Sequence, residues 1–245
     1  MHEIQTKSKS YYFIKNLIDS LTDFIAPRYC EICRTYLDAN KSRFKFICDK
    51  CFDSIPLAPE PEIIFNRFIS NFDKDDLAVS DAVSLLSIKE DHDYMNPVYS
   101  LKYLGFSGIG TELGRELGRL LEYYNKTDFD ALIPVPIHHA RHRERGYNQA
   151  QFIAKGISDI IKIPVQNKLI KRYRYTQTQT VLSKEERRKN VENAIAPYDK
   201  NSDLNGKNYL VIDDVLTTGS TLNACANSLL MLGAKRVEAA TIVYV

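Results

Sequence analysis

Apolar residues recur along this chain at two different spacings, which predict alternating strands and helices. Strand-like apolar runs, typical of strands buried on both faces, occupy residues 81–88, 131–135, 209–212 and 237–245. Apolar residues three or four positions apart predict one helix around 113–121 and another over 150–161. This alternation predicts an α/β fold, in which a mainly parallel sheet is flanked by helices on both faces.

The run at 209–212 leads into two adjacent acids, Asp213 and Asp214, and then into a turn rich in hydroxyl groups around Gly219. A helical pattern follows, and the first turn of a helix offers unpaired backbone N–H groups and a positive dipole end, which suit a phosphate. A carboxylate repels phosphate but accepts hydrogen bonds from a diol. The order of these groups therefore predicts a site for a ribose 5-phosphate; an ordinary strand-to-helix turn is the alternative.

Four of the five cysteines form two C-x-x-C pairs, Cys30 with Cys33 and Cys48 with Cys51, separated by fourteen residues. This spacing is typical of a structural zinc site with four thiolate ligands, and redox or core cysteines are the alternatives. We expect residues 27–60 to form a small zinc-ribbon module and residues 61–245 the α/β domain. Cys225 stands alone and is predicted to be a core residue.

The composition limits the number of domains and the classes of protein to which this chain can belong. The 245 residues are 44% hydrophobic, which suffices for one core and a small appendage, and the formal net charge of +2 selects no class of partner. No apolar run approaches the roughly 20 residues that span a bilayer. Residues 1–26 are predicted to form a docking helix, with a membrane-surface helix as the alternative. Without an export signal, we expect a cytoplasmic protein.

Two further segments carry positive charge. Pro134-Val-Pro136 precedes three arginines and the sequence Gly146-Tyr-Asn-Gln149, a strand–loop–helix junction that suits a pyrophosphate or is simply a solvated turn. Residues 168–189 hold eight Lys or Arg against two Glu, and we interpret 168–195 as a mobile basic ribbon that closes over an anion. The polar groups predicted to act from this ribbon are Arg172, Gln179, Arg187 and Asn190.

The alternatives for the ribbon are a solvated hairpin and a surface for single-stranded DNA. In the second case its lysines and arginines would bind phosphates, while Tyr173 and Tyr175 would stack on bases.

The segment 211–221 resembles the phosphoribosyl pyrophosphate (PRPP) loop of type I phosphoribosyltransferases. Further motifs in the same order resemble the competence protein F (ComF) family within that superfamily. These are the double C-x-x-C module, Lys102–Gly105, Pro134–Pro136, Arg145–Gln149, Thr176–Gln179 and Glu186-Arg187 with Asn190. The resemblance covers roughly residues 25–245.

The resemblance implies a type I phosphoribosyltransferase-like fold that binds PRPP together with Mg²⁺. The acids Asp213 and Asp214 would hold the ribose hydroxyls, and Arg145 and Lys102 would stabilise the departing pyrophosphate. Thr217 stands where many members of the superfamily have an acid that assists the chemistry. The PRPP loop carried over by position comprises Asp213, Asp214, Val215, Leu216, Thr217, Thr218, Gly219, Ser220 and Thr221.

Three functions remain open. The first is an enzyme, a glycosyltransferase that moves phosphoribosyl from PRPP to a nitrogen acceptor in a pathway linked to competence and DNA uptake. The second is a scaffold that binds PRPP or a nucleotide with little turnover and docks a DNA-translocation protein. The third is an accessory protein that binds single-stranded DNA directly.

Overall fold

Four parallel strands form the sheet around which most of the described chain is built. The computed structural model describes residues 27–38, 41–174 and 194–245. Its strands are β1 (Ala82–Ser87), β2 (Ala131–Pro134), β3 (Ile170–Arg172), β4 (Ile195–Pro197), β5 (Asn208–Leu216) and β6 (Arg236–Tyr244). The order in the main sheet is β1-β6-β5-β2, with all neighbours parallel. The predicted mainly parallel sheet is confirmed.

Of the seven helices that the structure describes, five lie between strands in sequence, as parallel pairing requires, because a parallel neighbour is reached only through a crossover; the first two precede β1. The helices are α1 (Asp49–Ser54), α2 (Pro61–Ile69), α3 (Asn96–Tyr103), α4 (Ser107–Tyr123), α5 (His139–Arg145), α6 (Gln149–Ile161) and α7 (Ser220–Leu230). None of the helices in the described ranges is long and apolar enough to cross a membrane.

Helices α4 and α6 approach each other closely because glycines lie at their crossing. A Cβ atom on Gly156 would lie 2.9 Å from both the Arg115 nitrogen and the Gly114 Cα, so the two backbones are in direct contact. Leu113 and Leu117 on α4 are buried beside this crossing, as is Ile153 on α6. The apolar stripes that predict these helices are therefore the faces that they bury.

The register of the sheet brings the carboxyl ends of β2 and β5 to the same edge of the sheet. Pro134 of β2 pairs with Ile212 of β5, and Ile212 pairs with Ala240 of β6. Because the strands are parallel, the segments that follow β2 and β5 leave the sheet side by side. Ligands of open α/β sheets bind in this position, beyond the carboxyl ends of the strands.

The chain divides into two compact units, Met1–Ser54 and Ile55–Val245. The first unit contains a bridge between Tyr29 and Tyr36, the short helix α1, and buried Leu37, Phe44 and Ile47. So few apolar side chains form a very small core, and a segment of this size usually needs a metal or disulfides to stay folded.

Two predicted segments lie wholly or partly outside the described residues. The docking helix at 1–26 is outside them, as is most of the basic ribbon, including Gln179, Arg187 and Asn190. The described ends of the ribbon form a two-stranded antiparallel sheet, with Arg172 of β3 opposite Ile195 of β4. The mobility of the ribbon stays a prediction.

Candidate functional site

The strand–turn–helix predicted at 209–230 is present. Strand β5 continues two residues beyond the acids to Leu216, and helix α7 begins at Ser220. Gly219 is the N-cap residue with φ of 78°, in the left-handed region that a residue with a Cβ rarely adopts. The first turn of α7 leaves the backbone N–H groups of Thr221 and Leu222 without acceptors inside the helix, so it can donate to an anion.

The hydroxyl groups of the turn form a small network. The Oγ atoms of Thr218 and Ser220 lie 3.0 Å apart, and the Ser220 backbone N–H donates to Thr218 Oγ1 over 3.4 Å. That second bond is long, so a phosphate oxygen would be a stronger acceptor for the same N–H. Thr217 and Thr218 are exposed, which leaves the outer face of the turn open to a ligand.

An aromatic ring supports the turn from below. A Cβ atom on Gly219 would overlap the Phe68 ring, with Cδ2 at 2.7 Å and Cζ at 2.8 Å, so glycine is required here by space as well as by conformation. Phe68 on α2 is buried and stacks on Phe72, with ring centroids 5.2 Å apart. The mixed aromatic and charged pattern of 63–76 gives no sequence signal for this contact.

Asn223 ties the first turn of α7 to the segment that precedes β1. Its Oδ1 accepts from the backbone N–H groups of Ala78 (2.8 Å) and Val79 (3.3 Å), and its Nδ2 donates to the Asp76 carbonyl at 2.7 Å. Asn223 is 2% exposed, so these bonds are shielded from water. The helix start is thus fixed from two sides, by Phe68 and by Asn223.

Asp214 is buried, and only one of its two carboxylate oxygens has a partner among the described residues. Lys102 Nζ lies 3.0 Å from Asp214 Oδ1, and the Asp214 side chain is 6% exposed. Asp214 Oδ2 is buried and has no hydrogen-bond partner among the described residues. A buried acceptor without a donor is destabilising, which makes this oxygen a natural acceptor for a ligand hydroxyl.

The ionised form of the neighbouring Asp213 carboxyl group is disfavoured. Burial, followed by the charge of Asp214, raises the pKa of Asp213 from 3.8 to about 7. The Asp214 backbone N–H, which donates to Asp213 Oδ1 at 2.9 Å, and the charges of Lys102 and Arg172 oppose this rise. The acid pair therefore favours incoming hydrogen-bond donors and positive charge.

Arg145 contacts the aromatic ring of Tyr103 on α3. Its guanidinium lies 5.0 Å from the ring centroid of Tyr103, the residue after Lys102, and its Nη1 donates to Gln149 Oε1 at 3.1 Å. Gly146 ends α5 in the left-handed region, and Asn148 caps α6 by accepting from the Ala150 N–H. The Arg-Gly-Tyr-Asn-Gln sequence is therefore a junction between two helices, with the arginine held toward α3.

The structure thus brings several predicted residues together. Lys102 contacts Asp214 directly, and Arg172 lies near enough to Asp213 to affect its pKa. Burial and the positive charge of Arg141 lower the pKa of Arg172, so an added anion would relieve its environment. Phe68 and Asn223 were not predicted from the sequence. Cys225 is fully buried on α7, as the sequence predicts for a core residue.

In the first unit, the four paired cysteines meet in one cluster. The Sγ atoms of Cys30, Cys33, Cys48 and Cys51 all lie within 4.8 Å of one another. Cys33 and Cys48 Sγ are 3.7 Å apart, and the Cys48 backbone N–H donates to Cys30 Sγ at 3.3 Å. Thiolates at this separation can hold one metal ion such as zinc, because a tetrahedron with metal–sulfur bonds of about 2.3 Å has similar edges.

The raised pKa of Asp213 gives a test of the site's electrostatics. An acid whose pKa is higher in the folded than in the unfolded protein lowers stability as pH rises, here from about 4 to about 7. We predict that Asp213→Asn raises the free energy of unfolding by about 1 to 3 kcal/mol at pH 8, and that the gain disappears at pH 4. Urea denaturation at several pH values measures both quantities.

The control for this measurement is Asp91→Asn, which changes an exposed carboxylate outside the site. It should alter the unfolding free energy by less than about 0.5 kcal/mol at every pH. If Asp213→Asn is instead less stable than the parent protein at pH 8, Asp213 is not strained in the way described.

Comparisons with known proteins place these features in a family context. A phosphoribosyl transferase domain model matches residues 145–245. Competence protein F of Haemophilus influenzae is 38% identical over 109 residues, covering 44% of this chain and 48% of that protein. DNA utilization protein YhgH of Escherichia coli O157:H7 is 32% identical over 154 residues, covering 60% of this chain and 66% of the relative. The chain therefore matches about half to two thirds of the length of these relatives.

Among solved structures, the purine phosphoribosyltransferase of Pyrococcus horikoshii aligns with 56% of this chain and 81% of its own. The TM-score is 0.35 and the sequence identity is 21%.

Proposed function

We propose that this chain, which belongs to the competence protein F (ComF) family of phosphoribosyltransferase-like proteins, binds PRPP at the turn between β5 and α7. The observation that carries the proposal is the half-satisfied Asp214, whose buried Oδ2 has no partner among the described residues. In the bound state, Oδ2 would accept a ribose hydroxyl and Asp213 the other hydroxyl. The 5-phosphate would accept from the N–H groups and hydroxyls of 217–221.

The electrostatics of the site favour a ligand with these parts. The phosphate would lie at the positive end of α7, while the diol would remove the unpaired acceptor next to it. Phe68 and Asn223 hold the helix start in place before a ligand arrives, so little ordering would accompany binding. Preorganisation of this kind is expected of a phosphate site rather than of an incidental turn.

Magnesium fits the same site as a partner of the substrate. Mg²⁺ is usually held by one or two carboxylates together with substrate phosphates, and when bound it neutralises charge on the pyrophosphate. Asp213 and Asp214 supply carboxylates beside the diol, and the pKa of Asp213 is raised in part by the charge of Asp214, which an added cation would offset.

The transfer that the site would perform is a displacement at the ribose C1 atom. A nitrogen of the acceptor would donate its lone pair to C1 as the C1–O bond to pyrophosphate breaks. Pyrophosphate would leave with the electrons of that bond, and the nitrogen would release its proton to water. Lys102, placed beside Asp214, and Arg145, held on Tyr103, are the cations that would stabilise the departing group.

The names of the relatives connect the family with DNA. One relative is named for competence and another for DNA utilization, so we extend the proposal to a cytoplasmic role in the handling of incoming DNA, with a DNA-translocation protein as partner.

A second candidate function is a scaffold that binds PRPP or single-stranded DNA without turnover. The absence of turnover is favoured by Thr217, which stands in place of a carboxylate. Binding of single-stranded DNA is favoured by Tyr173, which is exposed and lies beside Arg174 at the start of the ribbon.

Calorimetry with PRPP and Mg²⁺ tests the first proposal. We expect the metal-loaded protein to bind PRPP and Asp214→Asn to bind it at least tenfold more weakly, because the replacement loses a charged acceptor for the ribose hydroxyl. Asp128→Asn, which changes an exposed carboxylate outside the turn, should leave the affinity within about twofold.

Absence of any PRPP binding by the parent protein would refute the proposal, provided that its melting curve shows it to be folded. Pyrophosphate release in the presence of a panel of nitrogen bases would separate the enzyme from the scaffold.

We also propose that the four clustered thiols of the first unit bind one structural zinc ion. All four ligand positions of a tetrahedral ion would be filled by Cys30, Cys33, Cys48 and Cys51, which leaves no position for a substrate. The ion would stabilise a unit whose own apolar core is small.

Metal analysis tests the zinc proposal. The purified protein is expected to contain about one zinc per chain, and Cys48→Ser is expected to lower the zinc content at least fivefold. Cys225→Ser changes a cysteine of the other unit and should keep the full content. A zinc content that Cys48→Ser does not change would contradict the assignment.

A further inference from the structure

A cavity of about 420 Å³ lies at the end of β2, at the edge of the main sheet. Its open lining comes from the end of β2 and the segment after it, helix α5, the start of α6, and strand β3 together with Asn167 and Tyr198. None of the residues 213–221 of the proposed PRPP turn lines it. The function proposed above therefore leaves this cavity without a role.

The lining of the cavity carries basic groups and no carboxylate. Five of the thirteen described lining residues are basic: His139, His142, Arg143, Lys171 and Arg172. Arg172 is half-buried, and its pKa is lowered by burial and by the nearby Arg141. Because like charges converge here, an anion in the cavity would be attracted by several side chains at once.

The cavity also offers apolar surface. Pro134, Pro136, Ile137 and Ile170 contribute to its walls. The Tyr198 ring is 54% exposed, and Lys171 Nζ lies 5.2 Å from its centroid. Apolar walls with a few convergent polar groups, in a volume between about 300 and 1,000 Å³, are typical of sites for small organic molecules. A free pyrophosphate, which has no apolar surface, would leave these walls unused.

The position of the cavity relates it to the proposed PRPP turn. Strand β2 is the direct neighbour of β5, so the cavity and the turn lie beyond adjacent strand ends. Arg172 belongs to the cavity lining and also lies near enough to Asp213 to affect its pKa. Arg172 is therefore shared by the surroundings of the cavity and of the acid pair.

We propose that this cavity binds the second substrate of the transfer, and that this acceptor is an aromatic or heteroaromatic ring bearing a carboxylate or a phosphate. The anionic group would contact Lys171 and Arg143, and the ring would pack against the prolines and Tyr198. The assignment rests on the proposed phosphoribosyl transfer, which requires a site for a second substrate beside the PRPP turn.

Paired probes that differ only in charge test the assignment by calorimetry on the full chain. Nicotinate and nicotinamide are the pair for a carboxylate, and phenyl phosphate and phenol, which carry no ribose for the PRPP turn, are the pair for a phosphate. We expect at least one anionic member to bind at least tenfold more tightly than its neutral counterpart. The double variant Lys171→Gln/Arg143→Gln should weaken the binding of that anion at least tenfold and should change the affinity for ribose 5-phosphate less than twofold.

The matched control is Lys155→Gln/Arg119→Gln, which removes the same two charges from exposed positions outside the cavity. It should leave the binding of every probe within twofold, which separates a local contact from a change in net charge. Melting temperatures of both double variants show whether each remains folded.

Two results would overturn the assignment. One is that neither anionic probe binds more tightly than its neutral counterpart. The other is that Lys171→Gln/Arg143→Gln weakens the binding of PRPP and pyrophosphate but not the binding of the ring anions. The cavity would then be the site of the pyrophosphate. If the protein binds the ring anions as expected but binds neither PRPP nor ribose 5-phosphate, the cavity is an anion site and the transfer reaction is refuted. Failure of the cavity assignment is therefore distinguishable from failure of the proposed function.

Discussion

The arrangement around β5 depends on one buried ion pair that is incomplete. Lys102 neutralises one oxygen of Asp214, and the other oxygen is buried without a partner among the described residues. The pair also keeps a charge beside Asp213, whose own ionisation is disfavoured by burial. Replacing these groups with apolar side chains would be expected to stabilise the protein. Retaining them is best explained by a ligand that completes the hydrogen bonds, as strained sites usually reflect function.

The support for this site comes from parts of the chain that precede the matched phosphoribosyl transferase domain. Phe68 fills the space under Gly219, Asn223 bonds to the segment at 76–79, and Lys102 reaches Asp214 from α3. The domain model begins at residue 145, so three of the contacts that shape the turn join it to residues outside the match. The fold therefore fixes the turn by contacts that are distant in sequence, which is how a loop becomes rigid enough to bind a phosphate.

The sequence predicts the local features of this site well and the distant contacts poorly. Strand, acids, glycine and helix follow one another within about twenty residues, so periodicity and turn chemistry suffice to predict them. The cysteine cluster follows from ligand spacing in the same way. Phe68 and Asn223 could not be predicted, because their partners are set by how the chain packs: Asn223 bonds to a residue 145 positions away. The cavity likewise could not be predicted, because its lining comes from α5 and β3, which are separated in sequence.

We propose above all that the turn at 217–221 binds the phosphate of a phosphorylated sugar. Amide NMR chemical shifts of the full chain, recorded with ribose 5-phosphate and separately with ribose, test it most directly. We predict large downfield shifts for the amides of 218–221 with ribose 5-phosphate and almost none with ribose, since N–H groups that donate to phosphate are deshielded. Unchanged amides at 218–221, with shifts confined to the arginines and helix start at 141–149, would contradict it.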